Sequence, residues 1–208
     1  MAEFWNETLT QASWEKLQEL SKKYSFVLIG GWAIYLWSGM QKSKGIDLVV
    51  DYPELLKLRS EFSLSKNERL YKYEAKFEKF DIDIYLPGYS HLSVPCEAIL
   101  KSAKKVQGIS VCEPEMLLLL KQGALSDREA SVKGRKDLID IINLLARSGL
   151  SLEKYAQYAK KYGNDEYAAE LMRQLQSLDK TSLPYIGMNF KEFSDWKKKM
   201  LAQLKALA

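Results

Sequence analysis

Residues 26–50, FVLIGGWAIYLWSGMQKSKGIDLVV, contain two apolar runs that are separated by a glycine pair, an aromatic-rich segment and a basic loop. A short apolar run ends in Gly30-Gly31, and no helix breaker follows until Gly39, which predicts a buried strand, a tight turn and a short helix. A second apolar run, IDLVV, contains the single acid Asp47 and predicts a second buried strand. A turn without Cβ atoms lets backbone N–H groups approach a phosphate, and a helix N-terminus adds a favourable partial charge.

The rest of the chain predicts an α/β half followed by an all-helical half. The first half adds an amphipathic helix at about 9–23, a helix opened by Pro53, and strands in RLYKYE, KFEKFDIDIYLP and VQGISVC. From Glu113 onward, segments with helical periodicity are separated by Gly, Ser, Asn and Pro. We therefore expect an α/β (α+β) fold, with an α/β core in residues 1–112 and a helical domain in residues 113–208 packed on that core.

The composition is that of an ordinary globular protein. The 208 residues carry a net charge of +4, which permits nucleic-acid or nucleotide binding without requiring it. His91 is the only histidine, which argues against a His-based metal site or a Ser-His-Asp hydrolase. The isolated Cys96 and Cys112 match no metal-binding spacing and are expected to be reduced. The N-terminal residues do not resemble a signal peptide and no apolar run is long enough for a membrane span, so we expect a cytoplasmic protein with no membrane partner.

Three aspartates are candidate metal ligands on the predicted strands. Asp81 and Asp83 lie in FDIDIYL and share one strand face, because side chains alternate with a period of two. With Asp47 on a neighbouring strand, these carboxylates would repel one another unless a divalent cation lay between them. The alternative interpretation is a solvated acidic strand end.

Two helical segments carry candidate phosphate-binding residues. Lys121 and Arg128 lie seven residues apart in KQGALSDR and share a helix face, with the small Ala124 between them. Asp137 and Asp140 lie three residues apart in the next helix, RKDLIDI. The alternative is ordinary surface cations and salt bridges.

Taken in order, these pieces resemble the DNA polymerase β-like nucleotidyltransferase superfamily. Gly30-Gly31, a spacer of thirteen residues, the segment Gly45-Ile46-Asp47 and a distant strand aspartate match most of its pattern of Gly-Gly or Gly-Ser, Asp-x-Asp and a third carboxylate. KQGALSDR is similar to the Lys-x-x-Ala-x-x-x-Arg motif of the AbiEii-like and minimal nucleotidyltransferases, and KDLIDIINLL to the segment that follows it. The resemblance covers about residues 26–145, and residues 150–208 carry no recognised motif.

The resemblance implies a mixed-sheet nucleotidyltransferase core that transfers a nucleoside monophosphate from an NTP to an RNA or protein hydroxyl, with Mg²⁺ or Mn²⁺ as cofactor. The implied partners are an NTP, tRNA or another RNA, an acceptor protein and, because some minimal members are toxins, an antitoxin. By this resemblance, Gly30, Gly31 and Ser43 would contact the triphosphate. Asp47 and Asp83 would bind the metal and take part in catalysis, with Asp81 as an additional ligand. Lys121 and Arg128 would neutralise phosphate charge, and Asp137 or Asp140 would orient Lys121.

Gly45 departs from this pattern, because the first metal-binding aspartate of the family stands at that position. Its loss should weaken metal binding and slow the chemistry, since Mg²⁺ requires oxygen ligands in near-ideal geometry. Three accounts are compatible with Gly45: a non-catalytic nucleotide- or RNA-binding protein, recruitment of Asp81 as a substitute, or an active enzyme inactivated by one substitution. A toxin-antitoxin-type interaction protein is a further alternative, suggested by aromatic residues in the helical half: Tyr155, Tyr158, Tyr162 and Trp196.

Overall fold

The computed structural model describes residues 7–178, 181 and 183–206. The chain divides into two compact units, residues 1–113 and 114–208. The first unit contains a mixed β-sheet with an N-terminal helix, and the described part of the second unit is helical. This confirms the expected α/β (α+β) fold class and the all-helical second half.

The first unit alternates helices and short strands. Its elements are α1 (Glu7–Lys23), β1 (Val27–Ile29), α2 (Gly30–Ser38), β2 (Ile46–Val49), α3 (Tyr52–Glu61), β3 (Leu64–Asn67), β4 (Lys72–Lys76), β5 (Asp81–Tyr85), α4 (Cys96–Lys101), β6 (Lys104–Val106) and β7 (Ile109–Val111).

The strands of the described residues form one seven-stranded sheet in the order β3-β4-β5-β2-β1-β7-β6. β2 pairs in parallel with β5, and β1 pairs in parallel with β7, whereas the other pairs are antiparallel. The short β1 and β2 therefore lie at the centre, and their residues are nearly all buried. The two motifs of the opening stretch are thus neighbours in the middle of the sheet.

Side-chain alternation separates the core from the polar positions on the central strands. Ile46, Leu48, Ile82 and Ile84 are at most 2% exposed. The aspartates between them are less buried, because successive side chains of a strand point to opposite faces. Helix α2 packs against β1 and β2, and α4 packs against β2.

Two strand predictions in this unit were wrong in detail. KFEKFDIDIYLP contains the last residue of β4, a turn and β5 rather than one strand. VQGISVC contains the end of β6, a tight turn and β7, which pair antiparallel. Gln107 and Gly108 have φ values of 50° and 82°, so both turn residues have the left-handed conformation that two-residue hairpins favour. The polar edge strand β3 and the short α4 were not predicted, because neither has a clear hydrophobic period. Cys96 and Cys112 are buried and do not form a disulfide.

The second unit contains α5 (Pro114–Arg128), α6 (Val132–Arg147), α7 (Leu152–Lys161), α8 (Tyr167–Ser177), α9 (Leu183–Ile186) and α10 (Phe190–Lys205). Helix α5 packs against α6, α7 and α8, and α10 packs against α8. In the described segments, no helix combines the length and apolar character needed to cross a membrane.

A buried polar link joins three of these helices. The Tyr155 hydroxyl donates to Oε1 of Gln122 at 2.6 Å, and Nε2 of Gln122 donates to the Tyr167 carbonyl at 2.8 Å. Gln122 and Tyr155 are fully buried, so these bonds satisfy groups that would otherwise be costly to bury. Tyr155, one of the aromatic residues noted in the sequence, therefore belongs to the core of this unit.

Candidate functional site

The glycine turn and Asp47 are in direct contact. Gly30 connects β1 to α2 and has a φ of 68°, a conformation that favours glycine. A Cβ atom at this position would lie only 2.6 Å from Cγ of Asp47. Any other residue at position 30 would therefore be strained in its backbone and would also displace the Asp47 carboxylate.

The first turn of α2 can present backbone donors to an anion. The first N–H groups of a helix have no intrahelical acceptors. Ile29 is the N-cap residue and makes no side-chain capping bond, and the first turn contains no acidic residue. Because the helix dipole also favours negative charge at this end, Gly30 and the buried Gly31 form a suitable cradle for a phosphate group.

Asp47 and Asp83 lie side by side on adjacent strands. Asp47 is paired with Ile29 on β1 and with Asp83 on β5. Neighbouring strands are about 4.8 Å apart, so the two carboxylates share one face of the sheet next to the glycine turn. The structure thus brings together four of the predicted site residues: Gly30, Gly31, Asp47 and Asp83.

Lys72, which was not identified from the sequence, forms an ion pair with Asp83 and extends the row of charged side chains on adjacent strands. Nζ of Lys72 lies 2.6 Å from Oδ2 of Asp83 and 3.0 Å from Oε1 of Glu74. Glu74 is paired with Asp83 in the sheet, so the row continues onto β4. Nδ2 of Asn67 donates to the same Glu74 oxygen at 2.9 Å.

Burial and the ion pairs act in opposite directions on these groups. Burial disfavours the charge of Lys72, but Asp83 and Glu74 outweigh it and raise the pKa of the ammonium. Burial likewise opposes ionisation of Glu74, while bonds from Lys72 and Asn67 lower its pKa below the usual value. For Asp83, burial is the larger effect and raises the pKa, although the bond from Lys72 acts to lower it.

Positions 43, 45 and 81 surround the start of β2 and β5. The buried Ser43 hydroxyl donates to the Gly45 carbonyl at 3.3 Å, and the Ser43 carbonyl accepts from the Ser13 hydroxyl at 3.1 Å. Asp81 is exposed at the first position of β5. A Cβ at Gly45 would meet only the Asp81 carbonyl oxygen, at 3.8 Å, so there is room for a side chain where the family has its first aspartate.

The donor set does not fit a two-metal centre. Among residues 7–178, 181 and 183–206, no group of three or more His, Cys, Asp or Glu side chains converges as metal ligands. Position 45 supplies no ligand, and Lys72 is bonded to Asp83. The residues do fit a single Mg²⁺ that arrives with a nucleotide, since Mg²⁺ is commonly held by one or two carboxylates plus substrate phosphates.

The predicted helical residues form a compact ion network within the second unit. Nζ of Lys121 lies 2.9 Å from Oδ1 of Asp137 and 2.8 Å from Oδ2 of Asp140. Nε of Arg128 lies 2.7 Å from Oδ2 of Asp137, and Lys136 also pairs with Asp140. Lys121, Asp137 and Asp140 are each at most 8% exposed. The structure therefore brings these residues together, while their action on a phosphate stays a prediction.

Burial and the ion pairs also act in opposite directions on the charges of this network. Burial opposes the charge of Lys121, but the two aspartates raise its pKa well above its usual range. Burial also opposes ionisation of Asp137, while Lys121 and Arg128 lower its pKa. Gly134, in the first turn of α6, packs tightly against the turn that follows α5, because a Cβ there would lie 2.7 Å from the Glu129 carbonyl oxygen.

Lys72 and Glu74 could have been partly identified from the sequence. KYEAK places both on one face of a strand by the period of two. Their alignment with Asp83, however, depends on which strands pair. The alternating pattern of a short strand does not specify which other strand it pairs with.

Comparison with known proteins supports the fold. No protein-family profile matches the chain, and no curated protein matches it. Among solved structures, an H. pylori protein assigned as a nucleotidyltransferase is 18% identical with a TM-score of 0.52, and the alignment covers 98% of this chain and 99% of that one. The solution structure of the antibiotic-resistance factor ANT(2'')-Ia is 14% identical with a TM-score of 0.55, covering 81% of this chain and 98% of that one. At these identities, the similarity establishes a nucleotidyltransferase-type fold.

Proposed function

We propose that this chain binds a nucleoside triphosphate, with its phosphates at the Gly30-Gly31 turn and its accompanying Mg²⁺ at Asp47. The observation that carries the proposal is the contact between Gly30 and the Asp47 carboxylate, which puts a phosphate cradle and an oxygen ligand at one point. When bound, the ion would neutralise phosphate charge next to the carboxylates. Mn²⁺ is expected to substitute for Mg²⁺.

The protein residues have separate roles in this proposal. The α2 N-terminus donates backbone N–H groups to the phosphates, and the missing Cβ at Gly30 leaves room for the Asp47 carboxylate beside them. Asp47 supplies one oxygen ligand. Ser43 is proposed to shape the loop before β2, since its hydroxyl donates a hydrogen bond to the Gly45 carbonyl. A role of Lys121 and Arg128, with Asp137 as their partner, in neutralising phosphate charge remains a separate proposal.

Calorimetry with the four NTPs tests this proposal. We expect at least one NTP to bind in Mg²⁺ and to bind more weakly in EDTA, because the ion offsets repulsion between the phosphates and Asp47. The absence of binding to every NTP in Mg²⁺ and in Mn²⁺ would contradict the proposal.

Nucleotidyl transfer to an acceptor hydroxyl is the second candidate. Asp83 lies in register with Asp47, as a further carboxylate at a transfer site would, and position 45 has room for the absent aspartate. We propose that Gly45 makes the natural chain slow or inactive in transfer. In this view a single position separates a nucleotide-binding protein from a nucleotidyltransferase.

A paired assay of the natural chain and Gly45→Asp tests transfer. Labelled NTPs are supplied with Mg²⁺ or Mn²⁺ and with total tRNA, cell protein or an aminoglycoside as acceptor. The last acceptor is included because ANT(2'')-Ia has been solved in complex with adenylyl-2''-tobramycin. We expect labelling to be stronger in Gly45→Asp, and no labelling by either form would remove the transfer candidate. An antitoxin partner and a cytoplasmic location remain proposals.

A further inference from the structure

We propose that Lys72 is the resident cation of the sheet carboxylates, holding Asp83 so that a divalent ion enters this site only together with a nucleotide. The statement about nucleotide entry rests on the proposed function, whereas the exclusion of free metal ions does not. Lys72 would then fill the place that a second divalent ion takes in a two-metal centre.

The position of Lys72 follows from the pairing of β4 with β5. Lys72 and Glu74 lie two residues apart on β4 and therefore share a face of the sheet. Glu74 is paired with Asp83, so the ammonium of Lys72 reaches a carboxylate on its own strand and one on the next strand. The ammonium donates a short hydrogen bond of 2.6 Å to Asp83 and forms an ion pair of 3.0 Å with Glu74.

Three strands hold this cation in place. Asn67 on β3 is paired with Lys72 and donates a hydrogen bond to Glu74, which fixes the carboxylate that Lys72 contacts. The Lys72 side chain is 11% exposed, far less than that of a typical surface lysine. It is therefore a built part of the sheet face, and leaving this position would cost the ammonium its two anionic partners.

An ammonium and a divalent ion cannot share the same carboxylate oxygens closely. Two cations a few ångströms apart repel strongly in a partly buried environment, because the effective dielectric constant there is well below that of water. Binding of a free ion to Asp83 therefore requires displacement of Lys72. Asp47, the next carboxylate along the row, is the site for an ion already neutralised by phosphates.

Mn²⁺ titrations without nucleotide, followed by electron paramagnetic resonance, test this inference. The variants are Lys72→Met, Lys72→Met with Asp83→Asn, and the matched control Lys76→Met, which removes an exposed lysine from the same strand. We expect Lys72→Met to bind Mn²⁺ at least about tenfold more tightly than the natural chain, since one nearby positive charge is lost. Addition of Asp83→Asn should reverse this gain, and Lys76→Met should behave like the natural chain.

The comparison of the natural chain with Asp83→Asn alone also tests the inference, even if Lys72→Met does not fold. If Lys72 occupies Asp83, Asp83→Asn leaves nucleotide-free Mn²⁺ binding unchanged. Tight Mn²⁺ binding by the natural chain that is lost in Asp83→Asn would overturn the inference. Calorimetry with NTP on the same samples separates the two proposals: absent nucleotide binding refutes the proposed function, while the Mn²⁺ titrations still decide the role of Lys72.

Discussion

Two groups of charged residues differ in burial and in their balance of charge. One is the sheet cluster, which consists of Asp47, Asp83, Glu74 and Lys72, and the other is the helical network around Lys121. In the sheet cluster, three carboxylates accompany one lysine, and the side chains of Glu74 and Asp83 are 15% and 23% exposed. In the helical network, Lys121, Arg128 and Lys136 surround two aspartates whose side chains are at most 2% exposed.

The difference separates charges that stabilise the fold from charges that can bind a ligand. In the helical network, each aspartate contacts two cations, and burial makes an uncompensated charge very costly. The sheet cluster has fewer cations than anions, retains some contact with solvent and adjoins a helix N-terminus. We therefore expect the helical network to contribute mainly to stability, whereas the sheet cluster is the site of the ligand binding that we propose.

Replacement of the two central lysines should have the largest effect on stability and should distinguish the clusters. Lys121→Met leaves two buried aspartates without their common partner, so we expect a loss of about 3–5 kcal/mol in the free energy of unfolding. Lys72→Met should cost less, about 1–3 kcal/mol, because its carboxylates can be partly hydrated. Urea denaturation followed by circular dichroism measures both, with the exposed Lys133→Met as control. Equal losses for the two lysines would contradict the comparison.

Alanine substitution at two glycines should sharpen the description of the sheet cluster. Gly30 and Gly39 have φ values of 68° and 69°, but a Cβ at Gly39 would meet no atom within 4 Å. Gly39→Ala should therefore cost only the backbone strain, about 1–2 kcal/mol. Gly30→Ala should cost about 1–3 kcal/mol more, because the added methyl group overlaps Asp47. The same denaturation assay measures the difference, and equal costs would show that the Gly30 contact with Asp47 is not tight.

Acid should affect the two clusters in opposite directions. The folded-state pKa of Asp137 is lowered, so its stabilising contribution is present above the ordinary aspartate pKa of about 4 and is lost as pH falls through the folded value. The folded-state pKa of Asp83 is raised, so protonation favours the folded state as pH falls through that value. We expect Asp137→Asn to reduce, and Asp83→Asn to increase, the loss of stability on acidification between about pH 5 and 3. NMR titration of the carboxyl groups measures both pKa values, and a lower pKa for Asp83 than for Asp137 would contradict this expectation.

Gly45→Asp should have the smallest effect on stability. Its Cβ would make only an ordinary contact with the Asp81 carbonyl, and no positive φ is required at this position. We expect a change of less than about 1 kcal/mol in the free energy of unfolding. A thermal unfolding comparison with the natural chain measures it, and a large loss would mean that the glycine has a structural role at the start of β2.

Much of the fold could be predicted from the sequence because strong local patterns specify it. FVLIGGW and IDLVV contain apolar runs bounded by glycine, and the structure confirms the predicted strands β1 and β2 and the helix α2. The β6–β7 turn was missed, since the left-handed conformation of Gln107 is not evident from its residue type. The partnership of Lys72 with Asp83 was also beyond local patterns, because it depends on the pairing of β4 with β5.

The most direct test of the account is the affinity of Mg²⁺-NTP for the natural chain, Gly30→Ala and Gly39→Ala, measured by calorimetry. If the phosphates bind at the Gly30-Gly31 turn, Gly39→Ala should bind like the natural chain. Gly30→Ala should bind at least about tenfold more weakly, a cost of about 1.4 kcal/mol, because its Cβ displaces the Asp47 carboxylate that is proposed to hold the ion. No binding by the natural chain, or equal binding by Gly30→Ala, would contradict the account.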